Sequence, residues 1–97
     1  MIRVSFDPYM ISVIGHAESA PKGEDLVCAA VSILVHALDS MLDIYSEGLI
    51  RVCAEGRYII GFNENSKLDH EADIAIEMFA RGLEMLCENY PEFIKKA

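Results

Sequence analysis

The sequence predicts an α+β domain in which two helices pack on a four-stranded sheet, in the order β-β-α-β-β-α. The chain has 97 residues, which is enough for one domain, so residues 1–97 are interpreted as a single unit. Apolar residues make up 53% of the chain, enough to form one core. Short segments with strand-like alternation occur in two pairs, and a long segment with helical spacing follows each pair.

The first pair of strands lies at the N-terminus. Ile2, Val4 and Phe6 alternate with polar residues, which is typical of a half-buried strand. A turn is expected at residues 7–9, where Pro8 fixes φ. The segment Met10 to His16 is the expected hairpin partner, and its poorer alternation leaves its inward face open.

The rest of the chain contains a second pair of predicted strands and two predicted helices. Strands are predicted over residues 48–54 and 57–62, joined by a two-residue turn. One helix is predicted from about residue 25 to 44, with acidic residues at its start. The second is predicted from about residue 67 to 90, where apolar residues recur at steps of three and four before Pro91 ends the helix.

The charge of the chain limits its partners. Sixteen acidic against eight basic residues give a net charge of −8, which argues against nucleic acids and anionic membranes and favours basic partners. The longest apolar run, Leu26 to Leu38, is interrupted by polar residues, so no membrane span is expected. The N-terminus lacks the features of a signal peptide, and we therefore expect a cytoplasmic protein whose three cysteines stay reduced.

The first predicted helix is apolar around most of its circumference. Its polar residues recur at steps of three and four and form one narrow polar stripe: Asp25, Cys28, Ser32, His36, Asp39 and Asp43. Since a helix that is apolar on most sides is buried on most sides, we expect this polar stripe to face a cleft or solvent.

Cys28 lies near the start of this helix, where the helix dipole and N–H groups favour a thiolate and could hold an oxyanion. A cysteine nucleophile also needs a base, usually a histidine. His36 lies about 12 Å further along the same helix and cannot touch Cys28. His16 ends the second strand, and a short loop joins it to the helix, so the two side chains are easily brought together. The position of His70, at the start of the second helix, is left open.

A structural role is the alternative for every cysteine, because cysteine is most often a small buried hydrophobe. Cys53 and Cys87 are interpreted as packing residues of a strand and a helix. One cysteine with one histidine makes a poor zinc site, which needs three or four ligands. We therefore predict neither a metal nor a cofactor.

Two neighbouring segments carry a family resemblance. They are Gly15-His16-Ala17 and, after a short loop, Gly23-Glu24-Asp25-Leu26-Val27-Cys28-Ala29-Ala30-Val31-Ser32. Together they resemble the motif of the bacterial ribosomal-processing cysteine proteases called Prp. The length and the predicted element order also fit this family.

The resemblance implies a thiol protease with His16 and Cys28 as its catalytic pair. Asp25 and Ser32 match a family Asp and Ser, which would orient the pair or bind the substrate backbone; helix capping and packing are the alternatives. Gly15 and Gly23 flank a loop that in the family covers the site, and residues 18–22 of this loop are the expected substrate contacts.

The resemblance also implies a substrate and an assembly. The family removes the N-terminal extension of large-subunit ribosomal protein twenty-seven by cutting after an aromatic residue in an apolar leader, and its members form homodimers. Two alternatives stay open: the same protease acting on a phage structural protein, and a non-catalytic dimeric module that binds an apolar peptide.

Overall fold

The computed structural model describes residues 1–16 and 25–97. This part of the chain contains two helices, α1 (Leu26–Tyr45) and α2 (His70–Asn89). Its strands are β1 (Ile2–Phe6), β2 (Met10–Ile14), β3 (Ser46–Glu47), β4 (Ile50–Ala54), β5 (Arg57–Gly61), β6 (Lys67–Leu68) and β7 (Ile94–Lys96). Both predicted helices and all four predicted strands are therefore present, with small differences at their ends.

The sheet is larger than predicted. It has five strands in the order β4-β5-β2-β1-β7, and β3 and β6 form a separate two-stranded ribbon. The predicted four-stranded sheet and its element order are wrong in detail, because β7 follows α2 and pairs in parallel with β1. Its three residues are too few to show alternation, although Ile94 is completely buried. α2 begins three residues later than predicted because β6 pairs with β3 before the helix starts.

Both helices cover the same face of the sheet. The buried side chains of the strands and helices form one core: Ile2, Val4, Ile11, Val13, Val27, Val31, Val35, Leu38, Leu42, Tyr58, Ile60, Ala72, Phe79, Leu83 and Ile94. The ring of Phe79, from α2, makes edge-to-face contacts with the rings of Phe6 and Tyr58. This two-layer arrangement leaves the opposite face of the sheet without a helix layer from the described residues.

α1 is buried along one side only, so the expectation that it is buried on most sides is wrong for the single chain. The valine and leucine stripe Val27, Val31, Val35, Leu38 and Leu42 faces the core. Leu26 and Ile33, by contrast, are 75% and 71% exposed. In the described part of the chain, α1 packs against the five-stranded sheet, the short β3–β6 ribbon and α2. Hydrophobic spacing alone does not say whether the other sides of the helix find a partner.

By length and composition, α1 is long and apolar enough to cross a membrane, contrary to the expectation from its interrupted apolar run. A core helix of a folded domain passes the same test. Here one side of α1 belongs to the core, and Asp39 and Asp43 on another side are paired with Arg51 of β4.

Candidate active site

A cavity of about 490 Å³ lies between α1 and the end of the sheet formed by β2, β4 and β5. Its size is in the range of ligand-binding pockets. Its walls come from the polar stripe of α1, the end of β2 and the β4–β5 hairpin: Ile2, Val13, Gly15, His16, Cys28, Val31, Ser32, Val35, His36, Cys53, Ala54, Glu55, Gly56, Arg57 and Tyr58. The structure thus brings Cys28 and His16 to one cavity; their catalytic roles stay predictions.

Cys28 lies in the first turn of α1. Asp25 is the N-cap of the helix, with extended backbone, and its Oδ1 accepts a hydrogen bond of 3.0 Å from the Cys28 backbone N–H. The first intrahelical bond runs from the Ala29 N–H to the Asp25 carbonyl. This cap fixes where the helix starts and places the half-buried Cys28 side chain on the cavity side.

His16 is exposed and follows β2 after one residue, Gly15. Its ring lies close over the β4–β5 turn. A Cβ atom at position 56 would come within 2.7 Å of His16 Nε2, so the turn leaves room for the ring only with glycine there. Gly56 also has a positive φ of 71°. The Gly15 N–H donates to the Gly56 carbonyl over 2.8 Å, and the N-terminal amino group of Met1 donates to the His16 carbonyl. The backbone around His16 is therefore held by the hairpin and by the chain terminus.

The remaining predicted site residues differ in their positions. Ser32 and His36 are exposed and line the cavity one and two turns beyond Cys28. Asp25 caps α1 and is not among the described residues that line the cavity. Its role toward the catalytic pair stays a prediction. Gly23 and the loop 18–22 lie outside the described residues. His70 begins α2 and does not line the cavity.

Cys53, which its sequence context predicts to be a packing residue, lines the cavity. That interpretation is wrong, since Cys53 is exposed on edge strand β4 and lines the cavity. The signal was available in the hairpin register, which places Cys53 opposite the buried Tyr58 and so on the same face of the sheet. Cys87, in contrast, packs against the core, and burial raises the pKa of its thiol.

A polar network connects α1 to the sheet beside the cavity. Arg51 Nη1 lies 3.0 Å from Asp39 Oδ1, and Arg51 Nη2 lies 2.5 Å from Asp43 Oδ1. The Tyr58 hydroxyl donates to Asp39 Oδ1 over 3.2 Å. The hydrogen bond to Asp43 raises the pKa of Arg51, and burial, followed by the charge of Asp39, raises the pKa of Tyr58. The single guanidinium of Arg51 therefore offsets part of the negative charge of Asp39 and Asp43, at the C-terminal end of the polar stripe.

The cavity contains two cysteines and two histidines: Cys28, Cys53, His16 and His36. Within residues 1–16 and 25–97, no three or more His, Cys, Asp or Glu side chains form a group that could hold a metal ion. The arrangement offers a thiol at a helix start and an imidazole in one cavity, which is the material for nucleophilic catalysis.

A family model described as the cysteine protease Prp matches residues 1–95. The chain belongs to the Prp family. The structure of an essential ribosomal processing protease Prp from S. aureus, with a covalently linked product peptide, superposes with a TM-score of 0.78 at 20% identity, covering 98% of this chain and 94% of that chain.

Two further structures are similar. A protein from Streptococcus mutans is 30% identical, with a TM-score of 0.77 and coverage of 99% of this chain and 91% of that chain. The S. aureus Prp with a substrate peptide gives a TM-score of 0.72 at 19% identity, covering 99% of this chain and 95% of that chain. No curated protein sequence matches the chain. These likenesses support the α+β fold over nearly the full length of the Prp family member described here.

Proposed function

We propose that this protein is a cysteine endopeptidase that removes the N-terminal extension of large-subunit ribosomal protein twenty-seven. The observation that carries the proposal is the shared cavity of Cys28 and His16, which the sequence motif identifies as the family's catalytic pair. The family match supports proteolysis as the reaction. The peptide complexes of the S. aureus relative support a peptide as the substrate.

The proposed reaction is acyl transfer in two steps. The sulfur of Cys28 attacks the scissile carbonyl while His16 accepts the thiol proton. The C–N bond then breaks, and His16 gives this proton to the leaving amine, which leaves a thioester on Cys28. Water, activated by the same imidazole, hydrolyses the thioester and restores the thiol. No cofactor or metal takes part in these steps.

The tetrahedral intermediate carries an oxyanion that needs hydrogen-bond donors. The start of α1 supplies N–H groups and the positive end of the helix dipole. The Cys28 N–H donates to Asp25 in this structure. We therefore assign the oxyanion to the N–H groups of Leu26 and Val27, which precede the first intrahelical bond.

The cavity and the charge of the protein both suit the proposed substrate. Val13, Val31, Val35 and the ring of Tyr58 form apolar walls that fit the aromatic residue after which the family cuts. The net charge of −8 would attract a basic ribosomal protein during encounter. Neither feature distinguishes one apolar leader sequence from another, so a phage structural protein with an apolar leader is a competing substrate.

The first prediction concerns the nucleophile. Cys28→Ala and Cys28→Ser should abolish cleavage of a synthetic leader peptide, with a loss of at least about 10³-fold in kcat/KM, because no thiolate remains to attack. Mass spectrometry of the products measures this loss and locates the cut. Cys87→Ala, which removes a thiol outside the cavity, serves as the control and should retain cleavage.

Three results would change the proposal. Undiminished cleavage by Cys28→Ala would refute the assignment of the nucleophile. Binding of the leader without turnover by the wild-type protein would indicate the peptide-binding module instead. Faster cleavage of a phage leader than of the ribosomal leader would keep the protease and replace its substrate.

We also propose a cytoplasmic homodimer. The outer side of the two helices carries exposed apolar side chains from α1 and α2, Leu26, Ile33, Met78 and Met85. Between them lies a shallow apolar groove lined by Ala29, Ala30, Ile33, Leu34, Gly82, Met85, Leu86 and Asn89. A contiguous apolar surface of this kind is typical of protein interfaces.

A further inference from the structure

The outer edge of β4 is open in the described part of the chain. β4 ends the five-stranded sheet, and no strand from residues 1–16 or 25–97 pairs with its outer side. The hydrogen bonds from Gly15 to Gly56 and from Phe62 to Tyr9 show that the even-numbered residues of β5 bond to β2. The odd-numbered residues of β5 therefore bond to β4, where their partners are Ile50, Val52 and Ala54. The intervening residues, Arg51 and Cys53, then point their N–H and C=O groups away from the sheet.

Within residues 1–16 and 25–97, this edge carries little of the protection that natural edge strands usually have. Such strands are normally blunted by charges, prolines or bulges. The only charged residue of β4 is Arg51, and its guanidinium group is turned onto Asp39 and Asp43 of α1. Ile50 and Val52, on the opposite face of the strand, are 63% and 39% exposed. The strand thus presents an uncharged edge with main-chain donors and acceptors.

The open edge leads into the candidate active site. Cys53 and Ala54, at the end of β4, line the same cavity as Cys28. Arg51, earlier in the strand, contacts the later part of α1. α1 and β4 therefore run beside each other in opposite directions, and an extended chain along the edge would approach the first turn of α1.

We propose that β4 binds the substrate by strand addition, with an extended segment of the leader pairing with the outward main-chain groups of Arg51 and Cys53. The inference rests on the proposed protease function. Pairing places every second leader side chain on the cavity face and the others beside Ile50 and Val52. The site would therefore select an extended apolar peptide and reject proline at the paired positions, since proline has no N–H.

A proline in β4 tests the pairing directly. Cys53→Pro removes an outward N–H, so no hydrogen bond to β5 is lost. Cys53→Ala, which loses the thiol but keeps the N–H, is the matched reference. Both are made in the Cys28→Ala background, and binding of a fluorescein-labelled ribosomal leader peptide is followed by anisotropy. We expect Cys53→Pro to bind about tenfold more weakly than Cys53→Ala, while equal affinities would overturn the inference.

A second measurement leaves the protein's β4 unchanged. Leader peptides carrying one N-methyl group each, at successive amides, are bound to the Cys28→Ala protein. Strand addition predicts that affinity falls at every second amide, because only alternate N–H groups face β4. A uniform effect, or none, would contradict it even if Cys53→Pro does not fold.

The outcomes separate this inference from the proposed function. A leader that the wild-type protein cleaves, but whose N-methyl series shows no alternation, overturns strand addition alone. A leader that is neither bound nor cleaved overturns both. If Cys53→Pro is monomeric by sedimentation while Cys53→Ala is dimeric, a second copy of the chain occupies the edge, and the inference is wrong.

Discussion

Beside the cavity, the carboxylate of Asp39 joins three elements of the fold through its hydrogen bonds. Asp39 accepts hydrogen bonds from both Arg51 and Tyr58, so a helix, an edge strand and a core strand meet at one carboxylate. Because these side chains are partly or fully removed from water, losing one partner leaves the others poorly compensated.

Replacing Arg51 tests the energetic contribution of this network. Arg51→Met keeps much of the apolar stem but removes the guanidinium, and we expect the free energy of unfolding to fall by about 1–2 kcal/mol. Urea denaturation measures the change. Arg81→Met, which breaks the exposed pair with Glu77 on α2, is the control and should cost less than about 0.5 kcal/mol. Equal losses in the two variants would contradict the assignment.

Tyr58 gives the network a pH dependence. Burial and the negative charge of Asp39 raise its pKa above the usual value of about 10, so the folded protein keeps the phenol proton where the unfolded chain releases it. The resulting stability is present below about pH 10 and is lost as the pH rises further, at no more than about 1.4 kcal/mol per pH unit. The free energy of unfolding of the wild type, measured in urea, should therefore fall more steeply above about pH 10 than that of Tyr58→Phe.

Tyr9→Phe provides the comparison for this pH series, because Tyr9 is 73% exposed in the first turn. Its stability should follow the wild-type curve over the same range. The idea fails if Tyr58→Phe and the wild type lose stability in parallel.

At the scale of elements, the two helix starts look alike in sequence and differ in structure. Both have an Asp at the N-cap. The side chain of Asp25 accepts a hydrogen bond from the backbone N–H of Cys28, whereas Asp69 of α2 makes no side-chain cap bond. The cap on α1 fixes the turn that holds the proposed nucleophile, so it connects helix formation to the site.

A pair of alanine substitutions distinguishes the two caps. Asp25→Ala should lower the free energy of unfolding by about 1 kcal/mol, whereas Asp69→Ala should lower it by less than about 0.5 kcal/mol. Asp25→Ser, which retains a capping oxygen, should recover most of the loss. Thermal or urea unfolding followed by circular dichroism gives all three values. A larger effect at Asp69 than at Asp25 would refute this account.

At the scale of the whole molecule, the outer surface of the helices has no partner among the described residues. Leu26, Ile33, Met78 and Met85 expose between 62% and 75% of their surface. The hydrophobic spacing of α1 predicted burial on most sides, and pairing of two copies through this surface would meet that prediction.

Sedimentation tests the homodimer. The wild-type protein should have about twice the chain mass of 10.8 kDa, and Ile33→Glu should convert it to a monomer by placing a charge in the proposed interface. Tyr9→Glu changes a similarly exposed apolar side chain in the first turn and should remain dimeric. If the wild-type protein is a monomer, or if Ile33→Glu remains a dimer, the proposal that the helical surface is the dimer interface is wrong.

The sequence alone determined the α+β class, the two helices, the four main strands and the position of Cys28 at a helix start. These features depend on local spacing, turn residues and caps, which act over a few neighbouring residues. The motif also identified His16 before any contact was known. What stayed a prediction is the chemistry of this pair, because a shared cavity places the groups without showing them react.

Only the tertiary structure decided the pairing of β7 with β1, the ion pairs of Arg51 with Asp39 and Asp43, and the position of Cys53 in the cavity. Each depends on residues that are distant in sequence, and Asp39 and Arg51, for example, are 12 residues apart. Spacing along the chain shows which face a side chain occupies. It does not show which other element lies opposite that face, because that depends on how the whole chain packs into one core.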